Sequence, residues 1–193
     1  MKSVSSTDST GCGAMPPPCL SLRGSTAAPV RSRTDRSRSV RARLICVGKP
    51  KNLHANALYD DFADRISKLG LEFSHGWVAE ERSGGHYSDD HVMERESRRL
   101  LAAVEKGVHL VALDRRGRQF ESERLAPLVQ RWTTPSAALV LGGPLGHHDS
   151  LLDQADEVWS LGSLTLPHEL ARVVVAEQIY RAMTLIRSVP YHK

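Results

Sequence analysis

The chain has 193 residues, 40% of them hydrophobic and 25% charged, which is enough for one domain with a proper core and too few for two of ordinary size. Its formal charge of +4 comes from the first 43 residues, which carry +6 while residues 44–193 carry −2, so a polyanion could meet only a local basic patch or one assembled from two subunits. Cys12, Cys19 and Cys46 are odd in number and too scattered for a disulfide framework or a four-ligand zinc site, and no apolar run reaches the ~18 residues of a membrane span; a soluble protein of a reducing compartment is expected, with no membrane partner.

Residues 1–42 read as a disordered leader. The first forty hold nine Ser, three consecutive prolines at Pro16–Pro18 and almost no periodic apolar pattern. A Ser-rich, Arg-rich, acid-poor leader is the composition of an organelle transit peptide, which would place the protein in a chloroplast or mitochondrion. A misassigned start or a disordered extension, including an Arg and Ser tail that touches RNA, fits the same composition, and the protein is then cytoplasmic.

From Arg43 to Lys193 short apolar runs alternate with amphipathic segments, the pattern of an α/β domain. Ala42–Gly48 and Leu71–Glu80 read as strands around a helix over 55–69, whose Leu58, Phe62, Ile66 and Leu69 fall at helical spacing. After Gly84 and Gly85, Ser88 or Asp89 is placed to cap a helix over about 90–105, with Val92, Leu100, Leu101 and Val104 inward and Gly107 ending it. His109–Asp114, Ala137–Gly143 and Glu157–Leu166 are continuous apolar runs, expected as the central parallel strands. Between the first two lies a helix near 122–132 that Pro127 should delay or kink. The longest helix is expected over 167–187, with Pro167 at its first position.

Parallel sheets bind ligands at the carboxyl ends of their strands, so chemistry is sought in the loops there. No phosphate-binding G-x-x-x-x-G-K-[ST], dinucleotide G-x-G-x-x-G, H-E-x-x-H or G-x-S-x-G motif occurs. Three loops remain: Asp114-Arg115-Arg116-Gly117-Arg118, Gly142-Gly143-Pro144-Leu145-Gly146, and Leu161–His168. Each of the last two, taken alone, reads as a ligand-free connection. Two adjacent glycines do, however, let backbone groups approach a ligand without Cβ obstruction.

The combination says more. GGPLG, then WSLGSLTLPHELARVVVAEQIYRA about fifteen residues later, then a terminal PYHK, closely resembles the RlmH family of SPOUT methyltransferases, from about Arg43 to Lys193. The family lacks the leader. The resemblance implies a parallel-sheet SPOUT fold with a C-terminal trefoil knot, a homodimer, and S-adenosyl-L-methionine as cofactor. By motif, the cofactor pocket comprises Leu113, Gly142, Leu161, Gly162, Ser163, Leu164, Thr165 and Leu166. The implied reaction is methylation of N3 of a pseudouridine in large-subunit rRNA, in the helix 69 region, within the assembled ribosome. His192 matches the family's tail histidine, and the tail of one subunit is implied to lie near the other's cofactor. Tyr191 could stack on or hydrogen-bond the base, and Arg181 could meet phosphate or support the tail. Lys193 stands where many family members have Arg, keeping the charge and losing the planar fork.

The alternatives are a non-catalytic ribosome-binding or assembly factor with the same fold, and a SPOUT enzyme with another RNA target. Among the other residues, His147, His148 and Asp149 read as a solvated polar loop rather than a metal site. His168 reads as a helix-start residue, and Trp132 and Trp159 as packing. Arg115, Arg116 and Arg118 suit a solvated turn or an RNA contact equally, and Glu177 is a candidate partner for Arg172 or Arg181 in either subunit.

Overall fold

The computed structural model describes residues 40–81, 87–133 and 136–191. Five parallel strands, β1 (Val40–Val47), β2 (Leu71–Val78), β3 (His109–Arg118), β4 (Ala137–Leu141) and β5 (Glu157–Trp159), form one sheet in the order β2-β1-β4-β3-β5. The helices are α1 (Leu53–Lys68), α2 (Asp89–Ala103), α3 (Ser122–Gln130), α4 (Asp149–Leu152) and α5 (His168–Ile186). β1 begins at Val40, so residues 40–42 belong to the sheet and not to the leader; the rest of the leader lies outside the described residues.

Sequence pattern accounts for the layers. Ala42, Leu44 and Cys46 alternate along β1 toward a core shared with Tyr59 and Ile66 of α1, Leu125 and Val129 of α3 and the inner side of α5. Ile45 and Val47 point the other way, to a second core with Leu100 of α2 and Leu151 of α4. All of β4 is buried, as its unbroken AALVL run requires of a strand covered on both faces. The central strands are therefore β1, β4 and β3. The expectation for the third apolar run is corrected: β5 is a three-residue edge strand, and the chain leaves the sheet after Trp159.

Caps set the helix bounds. Asn52 accepts from the backbone N–H groups of His54 and Ala55, so α1 starts before the predicted Ala55. Ser88 caps α2 by accepting from His91 N–H. Pro127 sits inside α3 on an exposed position, and that helix closes in a 3₁₀ turn over 131–133. Pro167 is the residue before α5 rather than its first. Trp132 and Trp159 are buried and stack with ring centroids 5.8 Å apart. Among the described residues no helix is long and apolar enough to cross a membrane.

Candidate cofactor pocket and tail cluster

The loops that follow β3, β4 and β5 meet above the carboxyl ends of those strands and enclose a cavity of about 1020 Å³. Leu113, Gly142 and every residue from Leu161 to Leu166 line it, so the residues singled out by motif come together in one place. A smaller cavity of about 270 Å³ lies at the amino ends of β1 and β4, the end of a parallel sheet that does not collect ligands.

The glycine loop is a closed turn. Gly146 N–H donates to Gly143 C=O at 3.0 Å, and Gly146 adopts φ 89°. A Cβ on Gly142 would stand 2.9 Å from the carbonyl carbon and oxygen of Gly146. Gly142 is therefore required by the turn itself, before any ligand is considered, and its replacement by Val would distort the loop as well as the cavity. From behind, α2 supports this loop. A Cβ on Gly143 would meet the Glu96 carboxylate at 2.7 Å, and Ser97 Oγ accepts from His148 N–H, just past the loop, at 3.0 Å.

One arginine joins two of the walls. Arg116 donates through Nε to Asp114 at 3.0 Å, through Nη1 to Asp149 at 2.7 Å and through Nη2 to the His147 carbonyl at 2.9 Å. Its backbone N–H also donates to Asp114 at 2.9 Å. Burial pushes the Asp114 carboxyl up, but the hydrogen bonds and charge of Arg116 outweigh that and hold it below the usual carboxylate range. His147 is only 2% exposed, contrary to its reading as a solvated residue. Burial lowers its pKa against the nearby Asp114 charge and the Val140 and Leu113 backbone, so the imidazole is neutral. His148 caps the short α4 by accepting from Ser150 N–H. Among the described residues no cluster of three His, Cys, Asp or Glu side chains could hold a metal ion.

A strut sets the third wall. Glu169, next to the pocket-lining His168, accepts from Lys51 N–H at 2.7 Å and Asn52 N–H at 3.2 Å. Buried Arg172 donates to Asn56, stands 3.9 Å from Glu169 and lies 4.7 Å from the Tyr59 ring centre. Arg172 is thus not the partner of Glu177. Cys46, beneath this strut, has its thiol pushed up to about 12 by burial and is unreactive.

The other predicted residues gather elsewhere. Ser188 takes φ 54°, and Val189 N–H returns to Thr184 C=O at 2.9 Å, so the tail folds back on α5. There Tyr191 meets Tyr180 edge-on at 4.7 Å, and Arg181 lies 5.0 Å from the Tyr191 ring centre. Glu177 is the hub: it accepts from Arg181 Nε at 3.1 Å, from Gln178 at 2.6 Å and from the Tyr191 hydroxyl at 3.3 Å. Burial and the Glu177 charge raise the Tyr191 phenol, which stays protonated and acts as a donor. Neither Arg181 nor Tyr191 lines the cavity, and His192 and Lys193 lie outside the described residues.

Three comparisons bear on this arrangement. Residues 40–192 match the family described as "Predicted SPOUT methyltransferase". The chain is 38% identical over 156 residues to a Stenotrophomonas maltophilia protein named "Ribosomal RNA large subunit methyltransferase H", covering 80% of this chain and 99% of that one. A Thioalkalivibrio sulfidiphilus protein of the same name is 37% identical over 157 residues, with the same coverage. Among solved structures, a probable methyltransferase from Bordetella pertussis Tohama I superposes with a TM-score of 0.47 at 15% identity, covering 76% of this chain and 96% of that one. A match across the whole described domain, on a parallel sheet whose motif residues converge on one cavity, establishes that the chain belongs to the SPOUT methyltransferase family.

Proposed function

We propose that the protein methylates N3 of a pseudouridine in large-subunit rRNA, in the helix 69 region of the assembled ribosome, with S-adenosyl-L-methionine as methyl donor. The observation that carries this is the convergence of Leu113, Gly142 and Leu161–Leu166 on one cavity, in a chain 38% identical to a protein named for this substrate class. The cavity fits the cofactor. Its volume of about 1020 Å³ is at the upper end for a small-molecule site, and a closed glycine turn and the apolar Leu113, Leu161 and Leu166 stand in its walls. When bound, the cofactor supplies a sulfonium methyl group.

The chain's own residues then have three tasks. Leu113 and residues 161–166 would hold the adenine side of the donor through backbone groups and apolar contact. The walls tied by Arg116 and Glu169 would keep the cavity open at fixed width. The tail would act on the base. N3–H of a uracil-type ring is a weakly acidic imide, so N3 becomes nucleophilic as its proton leaves. The Tyr191 phenol keeps its proton, and Arg181 stays cationic through its hydrogen bond to Glu177, which leaves His192 as the group proposed to take the N3 proton. Because Tyr191 and Arg181 stand apart from the cavity of their own chain, the proposal includes a homodimer in which one subunit's tail serves the other's cavity.

Mass-spectrometric mapping of rRNA from cells lacking the protein tests this reading. Loss of one methylated pseudouridine from the large subunit is the expected result. An unchanged modification profile alongside retained ribosome binding would instead support a non-catalytic factor of the same fold.

A further inference from the structure

The cavity mouth carries basic side chains that no task above uses. Leu113 and Arg118 both register against Trp159, so residues 114–117 leave the ladder as a bulge above the sheet. Its base is locked. A Cβ on Gly117 would lie 2.6 Å from the Trp159 carbonyl carbon, and Ser160 N–H donates to Arg118 C=O at 2.9 Å. The three arginines of this loop therefore separate in role. Arg116 is held by Asp114, Asp149 and the His147 carbonyl, and Arg118 lies 5.0 Å from the Phe120 ring centre. Arg115 lines the cavity, is exposed, and makes no ion pair or side-chain hydrogen bond among the described residues.

The opposite side of the mouth has a counterpart. β1 and β3 flank β4, whose carboxyl end is the glycine loop, so the loops after β1 and β3 stand about 10 Å apart on either side of it. The β1 loop carries Lys49 and Lys51, both exposed and without ion pairs among the described residues. Glu169 fixes Lys51 beside the rim through its backbone N–H. Nearby carboxylates are mostly committed: Asp114 and Asp149 to Arg116, and Glu169 to backbone N–H groups. Glu80 remains beside Gly48 and opposes Lys49 in part, and Asp90 lines the cavity 3.6 Å from the His148 ring.

We propose that Arg115 on one side and Lys49 and Lys51 on the other form a track for the RNA backbone across the cavity mouth, a local basic patch on a domain of net negative charge. The track rests on the reading that the substrate is large-subunit rRNA. It positions the substrate and carries no base specificity, because it meets phosphate. The rigid bulge makes Arg115 the better ordered contact, and its planar fork suits a phosphate edge.

Binding of assembled ribosomes, prepared from cells lacking the protein, is measured across a potassium chloride series for wild type, R115A, R115K and K49A/K51A. Each lost phosphate contact lowers the slope of log affinity against log salt by about 0.7–0.9. R115A should lower it by about one contact, K49A/K51A by about two, and R115K should keep it. Melting temperature, checked for all four, should be unchanged at these exposed positions, and calorimetry should give R115A the wild-type affinity for S-adenosyl-L-methionine. An unchanged salt slope in R115A overturns the track even where the wild type methylates the ribosomes. A tenfold loss of cofactor affinity in R115A also overturns it, assigning the guanidinium to the cofactor carboxylate. A wild type that neither binds nor methylates the ribosomes overturns the substrate reading and the track together.

Discussion

Asp114 has a side chain 5% exposed at the foot of the cavity, and a buried carboxylate survives there only because Arg116 meets it from two directions. Arg116 is itself 48% exposed, so its Coulombic worth is discounted by solvent, and its main role is geometric. It ties the β3 loop to the segment carrying His147 and Asp149. Arg116→Ala should leave Asp114 with an unmet acceptor, at a cost of about 1–3 kcal/mol, and lower cofactor affinity as the two walls part. The sign with pH follows. The folded-state pKa of Asp114 lies below its unfolded value, so its contribution is full above the unfolded pKa and fades as pH falls through the folded one. In Arg116→Ala the backbone N–H of residue 116 still donates to Asp114, but with the guanidinium gone burial is no longer outweighed, so the folded pKa rises and the carboxylate becomes a penalty that grows as pH climbs through the usual carboxylate range and beyond. Asp114→Asn in the Arg116→Ala background should remove that pH dependence and restore part of the stability. Thermal melts from pH 5 to 8 on the single and double variants check this, and identical profiles for the two would mean that Asp114 is not the group responsible.

At the scale of elements, much was legible because local pattern decides it. Continuous apolar runs marked β3 and β4, helical spacing marked α1, and Ser88 marked the start of α2. The loops that meet at the cavity were legible only as a combination of motifs. What stayed hidden depends on partners far along the chain. Arg116 meets Asp149 33 residues on, and Arg172 meets Asn56 116 residues back, and neither pair has a local signal. The edge position of β5 was missed for a related reason: its apolar run continues into the loop, where the side chains face the cavity rather than a neighbouring strand. Arg172 shows what such a long-range pair does to an element. It sits 2% exposed between α5 and α1, and through Glu169 the start of α5 holds the β1–α1 loop. Arg172→Met keeps much of the volume and loses the charged hydrogen bond to Asn56, which should cost about 1.5–3 kcal/mol. It should also loosen residues 161–168, which α5 anchors. Hydrogen exchange is the discriminating measurement. Faster exchange confined to the β1–α1 loop and the start of α5 is expected, whereas a uniform rise would indicate only a general loss of stability.

The whole molecule poses a problem that one chain does not solve, because the residues proposed for cofactor and for base lie in different places. Glu177 is nine residues along α5 from His168 at the cavity edge, or about 13 Å at the helical rise, and it holds Tyr191 and Arg181 at that distance. Chain ends stay ordered only when something fastens them, and here Tyr191 is fastened against Tyr180 and Glu177. Leu164 in the cavity wall is 81% exposed and Leu170 in the first turn of α5 is 46% exposed, apolar surface of the kind that a second copy would cover. A symmetric pair would then hold two composite sites, each joining one cavity to the other subunit's tail. Mixing two inactive variants tests the arrangement. Ser163→Trp fills the cavity from an exposed position and spares the glycine turn that Gly142→Val would distort. Deletion of residues 191–193 removes the tail. In a mixed dimer, the intact cavity of the tail-less subunit faces the intact tail of the Ser163→Trp subunit, so one complete site is restored. Methyl transfer to assembled ribosomes should recover to about half the wild-type rate per dimer, while each variant alone stays inactive. Verified mixed dimers that remain inactive would mean that each tail serves its own cavity or takes no part in the reaction.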